Sequence, residues 1–212
     1  MFKLEMVSAV VLLSTVVGGA SAAGSAAPSR THYTTQSADH KELIDGWKRE
    51  LKDNGFIRVG EYDSVVSHME AMDIKMGGSI PLKEALSKLS FVPVSTGGFS
   101  GLEYHGHRLG RSSGSSTDNV FTRYYRSKDI GFVKLVETSF PEWDPRLFVG
   151  DFVNSKVGNL DSLYMVVRGP TGFSIATLSW VSGGRMFQLT VSSREVHLDS
   201  LKTKIFNLAE SL

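Results

Sequence analysis

From residue 102 to residue 192 the chain offers seven runs that read as β-strands, with no helix of crossover length between them. The runs are 102–107, 120–126, 131–139, 147–153, 163–168, 173–181 and 186–192. They are rich in aromatic and β-branched residues and are parted by turn sequences such as Ser127-Lys128-Asp129 and Gly169-Pro170. Parallel neighbours need a connection of a dozen or more residues, usually helical, so these strands predict an antiparallel sheet. Ser182-Gly183-Gly184 reads as a tight hairpin turn, where glycine supplies the positive φ required.

The chain before and after the strands is helical in period. Asp39 is an N-cap with Glu42 three places on, and Leu43, Trp47 and Leu51 share one face up to Gly55. A second short helix is expected over 63–72, and a third over 82–89 behind Pro81. A last helix, 195–211, carries Leu198, Leu201, Ile205, Leu208 and Leu212 as one stripe that must lie on the sheet. The expected fold is therefore α+β: N-terminal helices, then a twisted antiparallel sheet with a C-terminal helix packed on it. Trp47 and Trp180 lie on periodic faces and are expected in the core.

The first residues have a different character. Lys3 precedes an uncharged run over 7–17, and Gly18-Gly19 and Ala20-Ser21-Ala22 follow. Small residues before the cut are what signal peptidase accepts, so 1–22 reads as a secretory signal peptide cleaved after Ala22, with Glu5 its one atypical residue. The apolar run is too short for a stable anchor, which takes about 20 apolar residues, though an uncleaved anchor is the alternative. The organisation that follows is a leader over 23–38 and one domain over 39–212, helical over 39–92 and sheet plus C-terminal helix over 93–212. The chain has no cysteine, so an exported fold must be held by its core without disulfides, which suits a periplasmic or secreted bacterial protein. A net charge of +1 gives no electrostatic footprint for nucleic acid or for an anionic membrane.

Four places carry candidate chemistry. His105 and His107, two apart on a strand, point to one face and offer a metal two ligands, with His197, Glu103 or Asp118 as a third. Gly110-Arg111-Ser112-Ser113-Gly114 matches the G-x-S-x-G pattern, so Ser112 and His197, with Asp151 or Asp161, would make a serine hydrolase. The residues after it read as loop then strand, without the strand-to-helix turn that motif needs. Arg108 and Arg111 in the same loop offer guanidinium forks to an anion. Trp143, between Pro141 and Pro145, is either a partner anchor or a cover for the sheet edge. Each has a plain alternative in a solvated strand or loop, and no cofactor is implied.

Two segments resemble a known family. Ile80-Pro81-Leu82-Lys83-Glu84-Ala85-Leu86 followed by Leu89-Ser90-Phe91-Val92-Pro93-Val94 is similar to the entry of a small extracytoplasmic domain attached to bacterial anti-sigma factors. Ser179-Trp180, a glycine turn, Met186-Phe187-Gln188-Leu189 and a helix ending Leu208-Ala209-Glu210-Ser211-Leu212 resemble that family's close. The resemblance covers about 80–212 and implies a non-catalytic sensory or binding domain, with no catalytic residue to carry over. The chain departs from that family in opening on a signal peptide in place of a sigma-binding part and a membrane helix. The function expected is an exported binding or regulatory protein that recognises another envelope protein. The alternatives are a periplasmic inhibitor or immunity-type protein, a carrier of lipid or another apolar ligand, and the hydrolase or metal protein above.

Overall fold

A computed structural model describes residues 38–58, 80–112, 115–139, 153–194 and 197–212. The expected signal peptide, the helix over 63–72, Trp143 and nearly all of the strand over 147–153 lie outside the described residues. In chain order the elements are α1 (Ala38–Asn54), β1 (Ile57–Arg58), α2 (Leu82–Lys88), β2 (Glu103–Gly110), β3 (Val120–Ser127) and β4 (Gly131–Ser139). They continue with β5 (Ser155–Val157), β6 (Leu160–Arg168), β7 (Ser174–Ser182), β8 (Arg185–Ser193) and α3 (Leu198–Glu210).

The eight strands form one sheet in the order β1-β6-β7-β8-β4-β3-β2, with β5 also on β6. All pairings are antiparallel except β1 on β6, where Ile57 faces Val167 and Arg58 faces Arg168 in parallel register. That pair corrects the expectation of a purely antiparallel sheet. The reason is topological: β1 reaches the sheet edge from the end of α1, so no hairpin dictates its direction.

Alternation builds the core. Phe121 and Tyr125 on β3, Val133 and Leu135 on β4, Phe187, Leu189 and Val191 on β8, and Ala176, Leu178 and Trp180 on β7 are all buried. Their register makes them neighbours on one face. Leu201, Ile205 and Ala209 of α3 join the same cluster, so the C-terminal stripe lies on this face as its period requires. Trp180 stacks on Phe187 at 5.2 Å inside the core, whereas Trp47 is only half-buried. The rest of the face is covered by 91–101, whose Val94 and Phe99 pack into the cluster.

The turns confirm local expectations. Gly183 and Gly184 both have positive φ between β7 and β8. Gly131, which opens β4 with φ +85°, is held more tightly: a Cβ there would sit 2.3 Å from the Ser192 carbonyl oxygen. At Gly183 the same atom would meet nothing. Gly131→Ala is therefore expected to destabilise the fold by at least about 3 kcal/mol, and Gly183→Ala by about 1 kcal/mol. Urea unfolding of the two variants checks the difference, and equal costs would refute the steric account.

Candidate functional site

The strand that carries the histidine pair is not regular. The β2–β3 register shifts between Tyr104 and Gly106, a β-bulge centred on His105. One extra residue reverses the parity of the strand, so Tyr104 and His107, three apart, meet on one face. The Tyr104 hydroxyl and His107 Nδ1 share a hydrogen bond of 2.6 Å. His107 is buried between Tyr104 and Phe121, while His105 is exposed beside Glu103, 3.7 Å away. The expectation that both histidines point to one metal is thus corrected by the bulge. No group of three metal-ligating side chains occurs among the described residues.

Burial holds the His107 imidazole below its ordinary pKa, with the Ile80 backbone pulling the other way. Nε2 faces inward without completing a well-formed hydrogen bond. Burial and the neighbouring Tyr125 hold the Tyr104 phenol above its usual value, against the pull of Arg123. A protonated phenol and a neutral imidazole therefore share this bond.

The serine loop is a structural clamp. Asn119, almost fully buried, accepts the Ser112 backbone amide at 2.8 Å. Its Nδ2 donates to Ser112 Oγ at 2.6 Å and to the Ser139 carbonyl at 2.8 Å. Ser112 is thus tied to the Ser139 end of β4. His197 precedes α3, whose Leu198 lies near Gly55 and hence near β1, by the opposite end of the sheet. The nine residues of β4 alone span about 27 Å. The hydrolase constellation is therefore not assembled. Arg111 is paired with Asp118 at 2.9 Å, so it is not a free fork for an anion, and Arg108 is exposed on β2.

The chemically densest place was not among the sequence candidates. Glu137 is 0% exposed on the core face of β4, between its cross-strand neighbours Phe121 and Phe187. Arg123 of β3 donates to its Oε1, and Arg185 of β8 lies 3.3 Å from Oε2. The same groups hold the extended segment 91–96. The Val94 amide donates to Glu137 Oε2 at 2.9 Å, Arg123 Nη1 to the Val94 carbonyl at 2.9 Å, and Arg185 Nη1 to the Val92 carbonyl at 2.8 Å. The Tyr125 hydroxyl reaches Thr96 Oγ1 at 3.1 Å. Burial pushes the Glu137 carboxyl above the ordinary glutamate range, opposed by Arg123, the Val94 amide and Arg185. The sequence held a signal for this: alternation through Phe121, Arg123, Tyr125 and through Val133, Leu135, Glu137 puts an arginine and a glutamate on inward positions.

Three aliphatic side chains on this segment and on α2 are exposed. Val92 is 86% exposed, and Leu82 and Leu86, one turn apart on α2, are 41% and 42% exposed. Ala85, between them in sequence and flanking them on the helix, is fully buried. Val92 is therefore presented on a backbone held by Arg123, Glu137 and Arg185. No protein family matches the chain, and no curated protein or solved structure is similar enough to count as a match.

Two outcomes follow from these contacts. Glu137→Ala strands the buried Arg123 and removes a partner of the half-buried Arg185, and is expected to cost about 3–5 kcal/mol in urea unfolding; a loss below about 1 kcal/mol would mean the clamp does not hold the fold. For His107 the folded pKa lies below that of the unfolded chain. The unfolded state then takes up a proton first as pH falls from about 6.5, and stability drops through that window. His107→Gln is expected to flatten the fall in stability between about pH 7.5 and 5 relative to the wild type. Parallel slopes for the two proteins would exclude this origin.

Proposed function

We propose that this protein is an exported, non-catalytic binding protein that recognises another envelope protein through the exposed apolar side chains of Leu82, Leu86 and Val92. The exposure of Val92 carries the reading. An aliphatic side chain standing almost wholly in water, with two half-exposed leucines on the segment leading to it, is the kind of surface that marks a contact site. Its backbone is anchored by hydrogen bonds to Arg123, Glu137 and Arg185, so little conformational entropy is lost when a partner docks.

The other readings draw less support. Ser112 and His197 are held at opposite ends of the sheet, and the bulge separates His105 from His107. A carrier for an apolar ligand needs an inward face left open, whereas α3 and 91–101 fill the face with the core cluster. No helix among the described residues is long and apolar enough to cross a membrane. The resemblance of 80–212 to extracytoplasmic domains of anti-sigma factors and the signal-like opening both favour an envelope partner. An inhibitor of an envelope enzyme would use the same surface and differ only in what it captures.

The test pairs capture with substitution. Of Leu86→Asp and Val92→Asp, made together, Val92→Asp is expected to change the unfolding free energy by less than about 0.5 kcal/mol, since that side chain already faces water, and the half-buried Leu86→Asp by about 1–2 kcal/mol, which leaves the fold intact. They are expected to abolish crosslinking to the partner that the wild-type protein captures in its native envelope. A partner retained by the double variant, or a tightly bound lipid or metal ion in native mass spectrometry, would overturn the proposal.

A further inference from the structure

At the other edge of the sheet two arginines stand together. Arg58 and Arg168 are direct partners in the parallel β1–β6 pair. Both guanidiniums lie over the single ring of Phe56, at 5.6 and 5.5 Å from its centroid. Phe56 packs on the core cluster beside Leu198, which places the pair by the beginning of α3. Arg168 is held from its other side by the β6–β7 turn, where a Cβ on Gly172 would lie 3.5 Å from Nη2. Arg194 adds a third cation nearby. It stacks over Phe173 at 5.9 Å, and Ser174, next to Phe173, pairs with both Arg168 and Ser193.

Neither Arg58 nor Arg168 meets a carboxylate at ion-pair distance among the described residues. Glu50 is the acid beside them, and its carboxylate accepts the Arg58 backbone amide at 2.7 Å. Like charges directly opposite across a strand pair repel. The ring attracts each cation but leaves their mutual repulsion in place. Among the described residues no side chain neutralises the pair, which leaves both cations open to an anion. We propose that Arg58 and Arg168 form a binding site for a doubly charged oxyanion of the phosphate class, with Arg194 strengthening the local field. Two planar forks can each take two oxygens of a tetrahedral group, and two cations match a phosphate monoester better than a single carboxylate.

The test uses the whole protein and inorganic phosphate, titrated against chloride at constant ionic strength and followed by calorimetry and melting temperature. The wild type is expected to bind phosphate saturably and to melt higher as it fills. Arg168→Gln and Arg58→Gln are each expected to weaken binding about tenfold or more, the loss of a charge-assisted hydrogen-bonded contact. Without phosphate, the same variants are expected to melt at or above the wild-type temperature, because the repulsion is gone. Absence of saturable binding, or equal affinity in wild type and Arg168→Gln, would overturn the proposal. A free phosphate compound and a lipid headgroup share this chemistry. Sedimentation with phosphatidate vesicles that Arg168→Gln abolishes identifies the headgroup as the source; phosphate binding without sedimentation identifies a soluble one.

Discussion

A fully buried glutamate flanked by two arginines fastens the segment 91–96 to the sheet. Moving such charges out of water costs several kcal/mol per ion, and attraction alone does not repay it. Here the remaining lone pairs and protons are also used. Glu137 accepts from the Val94 amide as well as from the arginines, and the arginines answer the carbonyls of Val92 and Val94. The segment forms no sheet ladder, so its backbone groups depend on these side chains for partners. A clamp of this kind reads backbone position at alternate residues, which sets one register for the segment. Everything mounted on the outer side of 91–96 inherits that position.

The sheet edges are managed by different devices. Along β6 three short pieces complete the ladder. The strand β5 covers its start, the Asn154 side chain gives and takes one hydrogen bond each with the Tyr164 backbone, and β1 covers its end. An asparagine amide has the donor and acceptor of a peptide group, so it substitutes for one residue of a missing strand. On the opposite edge, β2 is interrupted by the bulge and carries Glu103, His105 and Arg108 outward. Bulges and charges at an edge discourage strand addition by another chain. Recognition through side chains, away from the backbone edges, is consistent with both features.

The two surfaces singled out above are physically unlike and far apart. The exposed apolar side chains lie on α2 and at Val92, whose carbonyl is held by Arg185 at the Ser139 end of β4, whereas the arginine pair sits on the β1–β6 edge at the other end of the strands. The nine residues of β4 alone span about 27 Å. A protein partner on the first and a small anion on the second would therefore not compete for space. Both surfaces are fixed in advance by buried structure, one by an ion cluster and the other by an aromatic ring.

Local pattern determined much of this molecule. The period-two runs placed β2, β3, β4, β6, β7 and β8 to within a few residues, and the stripe of Leu198, Leu201, Ile205, Leu208 and Leu212 placed α3 on the core face. These were legible because burial of one face imposes its period on the sequence. The candidate chemistry was not legible in the same way. A motif such as Gly110 to Gly114 records spacing along the chain, but Ser112 and His197 were parted by the length of β4. One inserted residue at His105 reversed the side of the strand on which a histidine lies, and no composition or spacing announces a bulge. The Arg123–Glu137–Arg185 cluster joins three strands to a segment some thirty to ninety residues away in sequence. The Arg58–Arg168 pair depends on a parallel contact that neither segment encodes alone. Period is a property of one element and can be read from it; the meeting of charges is a property of register between elements, which only the packed sheet decides.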